Sequence, residues 1–188
     1  MNGKNKGIEQ ILKRQFVFRG SYLHLQKLKI KLPDGRRGER EIVRVKDAVA
    51  VLPIDDQKNV HLVRQYRPAI NRTLVEIPAG LLDREEKIAD AAVRECEEET
   101  GYRPGVLKEL ITYAHAEGYS TGFITLFLGT DLEYTGNIHL DATEFLEPVC
   151  MSFDELHRLV EKNEIVDSKT ILCTLLSREW MSRGWTKR

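Results

Sequence analysis

Glu95, Glu98 and Glu99 fall within one short run, with Arg94 directly before them and Glu86 further upstream. On an α-helix, positions three and four apart share a face with Cβ atoms about 5–6 Å apart, so the three carboxylates would emerge together. Like charges at that spacing repel by roughly a few tenths of a kcal/mol per pair. A cluster that tolerates this repulsion suits divalent cations held between the carboxylates. Ligands made of oxygen alone select hard ions, Mg²⁺ or its substitute Mn²⁺, rather than zinc. Paired ions of this kind neutralise a pyrophosphate and activate water for attack on it.

A helix must carry these carboxylates, and the sequence predicts one over residues 86–100. Ala89, Ala92, Val93 and Cys96 recur at the spacing of a buried stripe beside the acidic face. Small side chains there let the helix lie close to a sheet, and Gly101 is placed to end it in a left-handed conformation. Upstream, Pro78, Ala79 and Gly80 form a tight turn after a short strand at 74–77. A long strand is expected over 41–53, continuously apolar at its end as a buried central strand should be, with residues 60–66 returning antiparallel to it. Near-alternating apolar residues over 15–32 predict two short strands turned at Arg19, Gly20 and Ser21, behind a flexible or helical leader ending near Arg14. Further strands are expected at 106–113, 123–128 and 145–150. Ser152 with Glu155 has capping-box spacing at the start of one helix, and Asp167 opens the last, running to about Trp180. Strands in runs, rather than in strict alternation with helices, argue for an α+β protein with a mixed sheet.

The chain of 188 residues balances 29 Lys and Arg against 29 Asp and Glu. A net charge of zero offers no nucleic-acid footprint, so a polyanionic substrate must meet a local basic cluster. No apolar run approaches membrane-spanning length and no signal peptide is recognised, which makes a cytoplasmic protein without nucleic-acid or membrane partners the expectation. Cys96, Cys150 and Cys173 lack the spacing of a disulfide framework or zinc site and read as small buried apolar residues.

The run from Gly80 to Tyr102 resembles the Nudix box, G-x5-E-x7-R-E-U-x-E-E-x-G-U, where U is bulky and apolar. Gly80, Glu86, Arg94, Glu95, Glu98, Glu99 and Gly101 occupy its specified positions, with Cys96 and Tyr102 at the loose ones. The resemblance implies an α/β/α sandwich over residues 45–188. Residues 1–44 would be a leader and a small antiparallel sheet of the kind one branch of the family uses to form homodimers. The flanks, residues 63–67 with 76–80 and the segment 163–171, resemble the ADP-ribose pyrophosphatase and nucleoside diphosphate sugar hydrolase branch.

By that resemblance Glu95, Glu98, Glu99 and the backbone carbonyl of Ala79 would bind metal, with Glu98 also on the catalytic face and Arg94 orienting the carboxylates. Arg67, beside Glu76, would hold a phosphate or the distal sugar, although an Arg67–Glu76 ion pair is the competing reading. Glu144, in the loop 141–144, would be the general base, with Glu117 the other acid in reach of that role. Phe18 or Tyr22 would stack on the nucleobase, with Arg44 or Lys46 near the phosphates, and His115 reads as structural. Members that prefer ADP-ribose usually carry Ser-Pro-Gly after the box, whereas residues 116–122 keep only the glycine, which leaves other sugars open. The implied activity is Mg²⁺-dependent cleavage of nucleoside diphosphate sugars, ADP-ribose among them, to a nucleoside monophosphate and a sugar phosphate. The alternatives are another Nudix specificity, for dinucleoside polyphosphates or oxidised nucleotides, and a non-catalytic nucleotide-binding module.

Overall fold

The computed structural model describes residues 7–140 and 145–182. Its backbone falls into two compact units, one made of Met1–Asp47 with Ala114–Phe123 and the other of Ala48–Tyr113 with Ile124–Arg188.

In the first unit β1 (Gln10–Arg19), β2 (His24–Lys31) and β3 (Arg37–Arg44) form an antiparallel sheet with β2 in the middle. Alternation places Gln26, Leu28 and Ile30 on the buried face of β2 while Lys29 and Lys31 stay exposed. The turn into β3 is closed by Leu32 N–H donating to the Arg36 carbonyl at 2.7 Å, with Gly35 at φ 90° supplying the left-handed residue. Every residue of β1 is exposed, and this explains why its first half read as a leader: an edge strand with no buried face shows no alternation. Gln10–Arg14 is strand, not a flexible or helical leader. The segment 114–123 joins this unit through a parallel bridge between Val43 and Ser120.

The second unit carries two sheets. β4 (Ala48–Pro53) is flanked by the antiparallel β7 (Ala79–Leu81) and the parallel β9 (Phe123–Tyr134), with β8 (Tyr102–Ala114) beyond β9. β5 (Asn59–Arg67) lies between β6 (Arg72–Glu76) and β10 (Leu146–Ser152), antiparallel to both. The helices are α1 (Ile88–Thr100), α2 (Phe153–Glu161) and α3 (Ser168–Ser182). Period-two alternation in β4 decides which helix packs where. Val49 and Val51 join Ala91, Ala92 and Cys96 of α1 in one core cluster, whereas Ala50 and Leu52 join Phe153, Leu156 and Cys173 of α2 and α3 in the other. β9 repeats the division, with Phe127 on the α1 side and Leu126 and Leu128 on the opposite side. A strand buried on both faces must read as an unbroken apolar run, and this is the sandwich with a mixed sheet that the sequence implied.

Four further expectations are corrected. The strand expected over 41–53 is two, β3 and β4: Val45 N–H donates to Thr121 Oγ1 at 3.2 Å, and Asp47 Oδ1 accepts from Phe123 N–H at 2.9 Å, so side chains replace the strand ladder. Residues 60–66 do not return alongside β4. A turn in which Asp55 Oδ1 accepts from the N–H groups of Gln57 and Asn59 leaves one antiparallel bridge, Ile54 to Val60, and sends β5 into the other sheet. In α1, Ala91 takes the buried position expected of Ala89, which is exposed. Among the cysteines, Cys150 is exposed while Cys96 and Cys173 are buried. Ser152 caps α2 as its spacing predicts, accepting from Glu155 N–H at 3.2 Å.

Candidate active site

The Glu95 carboxylate of α1 lies directly over the Gly80 backbone of β7. A Cβ at Gly80 would lie 2.0 Å from the Glu95 carboxyl carbon, so any side chain there would push the Glu95 carboxylate out of place. The glycine is therefore a steric requirement of the acidic face. At the other end of the helix Gly101 adopts φ 76° and its N–H donates to the Glu97 carbonyl at 2.8 Å, the left-handed stop expected of it.

Arg94 gathers the carboxylates. Its Nε and Nη2 donate to the two oxygens of Glu86 at 2.9 and 3.0 Å, while Nη1 donates to Glu95 Oε1 at 2.7 Å and to Glu98 Oε2 at 3.0 Å. The hydrogen bond from Arg94 holds the Glu86 carboxyl below its ordinary range, and the same bonds raise the guanidinium further, with Glu86 contributing most. The guanidinium thus bonds three carboxylates at once, Glu86, Glu95 and Glu98. Glu99, in the last turn, is buried and accepts from Ala79 N–H at 3.1 Å, which ties the helix to the strand that begins at Ala79.

The candidate metal donors on this helix are all carboxylate oxygens, and two of them, from Glu95 and Glu98, already converge on one positively charged nitrogen. Among the described residues no group of three or more His, Cys, Asp or Glu side chains stands as a ready metal cage. The donor chemistry, carboxylate oxygen alone, is nonetheless that of a hard divalent cation.

Arg67 and Glu76 form the pair that was the competing reading of Arg67. Nε and Nη2 of the guanidinium donate to both carboxylate oxygens, at 2.8 and 2.6 Å. Glu76 is 1% exposed and also accepts from Lys169 Nζ, which in turn bonds Asp167 at 2.9 Å. Burial works to raise the Glu76 carboxyl, but Arg67 and Lys169 outweigh it and hold the group below its ordinary range. Thr170 Oγ1 accepts from Ile77 N–H at 2.9 Å and donates to Asp167 Oδ2 at 2.5 Å. α3 thus braces the chain just ahead of Pro78, Ala79 and Gly80. Lys169 and Thr170 lie in the segment 163–171 that resembles the family, and no local pattern there signals this brace, because Glu76 is 93 residues away.

The remaining expected residues belong to the first unit or fall outside the described residues. Phe18 and Tyr22, 56% and 62% exposed, and the exposed Arg44 and Lys46 belong to the first unit. His115 Nδ1 pairs with the Gly122 carbonyl at 3.0 Å, a structural contact within that unit, and Glu117 is exposed. Glu144 lies outside the described residues.

The NUDIX domain family model matches residues 44–172, and the chain belongs to that family of hydrolases, which generally use divalent metal ions. An ADP-ribose pyrophosphatase of Bacillus subtilis is 34% identical over 86% of this chain and 88% of its own length. A methanol dehydrogenase activator of Bacillus methanolicus is 36% identical over 87% of this chain and 89% of its own. A solved structure of an ADP compounds hydrolase superposes with a TM-score of 0.84 at 25% identity, covering 94% of this chain and 96% of that one. Among the described residues no helix is long and apolar enough to cross a membrane.

Proposed function

We propose that this protein is a Mg²⁺-dependent pyrophosphohydrolase that cleaves nucleoside diphosphate sugars, ADP-ribose among them, to a nucleoside monophosphate and a sugar phosphate. The observation that carries the reading is the Arg94 hub, which holds Glu95 and Glu98 on one face of α1 while Ala79 N–H holds Glu99 beside them. Similarity to the ADP-ribose pyrophosphatase and the ADP compounds hydrolase supports the substrate class. Bound divalent metal would supply charge neutralisation of the pyrophosphate and a more acidic water. The chain's own residues supply the rest. Glu95, Glu98 and Glu99 present hard oxygens, Arg94 fixes two of them in rotamer, and the Arg67–Glu76–Lys169 brace steadies the strand end that faces them. Glu144 is the proposed base, and Phe18, Tyr22, Arg44 and Lys46 the proposed contacts to nucleobase and phosphates.

A panel of nucleoside diphosphate sugars, dinucleoside polyphosphates and oxidised nucleotides tests the class, with the sugars expected to give the highest kcat/KM. A hydrogen-bonding site can reject an analogue lacking its partner group by roughly 10⁴ or more. Residues 116–122 lack the Ser-Pro stretch associated with strict ADP-ribose use. We therefore expect kcat/KM for ADP-ribose to lie within about two orders of magnitude of that for at least one hexose-linked nucleotide. A wider gap would show that this departure is silent.

We also propose a homodimer. β1 exposes Ile11, Leu12, Val17 and Phe18 along an edge strand, and apolar edges of this kind are ordinarily covered. Light scattering of the full-length protein should give twice the mass of the chain; a fully active monomer would contradict it.

A further inference from the structure

A cavity of about 410 Å³ opens beside the carboxylate face, sharing Arg94 and Glu98 with it. Its size is that of a small-molecule subsite. One wall is the outer face of α1, where Glu97 and Glu98 follow Arg94 around the helix. The other is the segment after β9, carrying Asn137 and His139. That segment is pinned to the end of α1. Thr135 N–H and Gly136 N–H donate to the Gly101 carbonyl at 2.9 and 3.2 Å, and His139 N–H donates to the Glu98 carbonyl at 3.0 Å. Glu97 completes the wall, with one oxygen accepting from Asn137 Nδ2 at 3.2 Å and the other from Arg103 Nη1 at 2.8 Å.

The chemistry of the lining selects its occupant. Asp90, Glu97 and Glu98 outnumber Arg94 and Arg103, and both arginines already bond carboxylates, so a phosphate gains little there. No Phe, Tyr or Trp is among the described lining residues, so a nucleobase has no ring to stack on. Carboxylates beside the Asn137 amide and the His139 imidazole suit a neutral group that both donates and accepts along its length, which is a polyol.

We infer that this cavity seats the sugar of the nucleoside diphosphate sugar, with Asn137 and His139 as residues that discriminate between sugars. The inference rests on the activity proposed above. Arg94 and Glu98 line the cavity and also belong to the carboxylate face proposed for the pyrophosphate, so the cavity borders the place a distal sugar would leave from.

The test uses full-length Asn137→Ala and His139→Ala proteins and three substrates: ADP-ribose, ADP-glucose and GDP-glucose. Both side chains are exposed, and thermal melts confirm that the variants fold. In at least one variant the ADP-ribose to ADP-glucose ratio of kcat/KM should shift by about tenfold, the scale of one good hydrogen bond, while the ADP-glucose to GDP-glucose ratio stays within about twofold. A sugar ratio unmoved in both variants, or a base ratio that moves in its place, overturns the sugar assignment while leaving wild-type turnover to support the activity. Wild-type inactivity on all three substrates removes the activity and the inference together.

Discussion

Replacing Glu99 with glutamine should lower kcat by at least about a hundredfold, the scale of one lost electrostatic contact to a reacting group, while the fold survives. Glutamine keeps an oxygen for Ala79 N–H, which now donates to Glu99 at 3.1 Å, so the tie between α1 and β7 persists and only the charge goes. Steady-state kinetics with Mg²⁺, read beside a thermal melt, separate the two effects. Near-normal turnover in a folded Glu99→Gln protein would remove Glu99 from the metal-binding set.

The second large effect concerns stability. Glu76 is buried between Arg67 and Lys169, and Lys169 is itself 8% exposed. Breaking a buried pair by removing one partner costs about 3–5 kcal/mol, because a charge is left behind without compensation. Glu76→Gln should therefore destabilise by that order in denaturant unfolding, and Glu76→Gln combined with Lys169→Met should recover part of the loss. The pH dependence has a definite sign. The folded-state carboxyl is held below its ordinary value of 4.5, so its contribution is complete above that pH and fades as pH falls through the depressed folded value. The stability gap between wild type and Glu76→Gln should accordingly narrow in acid. A gap that is constant from neutral pH to pH 3 would mean that Glu76 is not the charged partner of this brace.

Much of the α1 face was legible because helical geometry acts over short separations. Glu95, Glu98 and Glu99 had to share a face, Arg94 had to reach its neighbours, and the apolar run of β4 had to be buried on both sides. The missed features depend on partners far apart in sequence. Glu76 meets Lys169, and Val45 and Asp47 meet Thr121 and Phe123; neither contact leaves a periodic trace. The first half of β1 escaped for the opposite reason, since an exposed strand segment has no pattern for burial to impose. The cavity beside His139 was also silent, because the segment that walls it is placed by backbone hydrogen bonds to Gly101 and Glu98 that any sequence could make.

The most direct test of the account is product analysis. Full-length protein incubated with ADP-ribose and Mg²⁺ should release AMP and ribose 5-phosphate, should stop when the metal is chelated, and should resume when Mg²⁺ is restored. Unchanged ADP-ribose under these conditions, with no turnover of any other nucleoside diphosphate sugar, would contradict it.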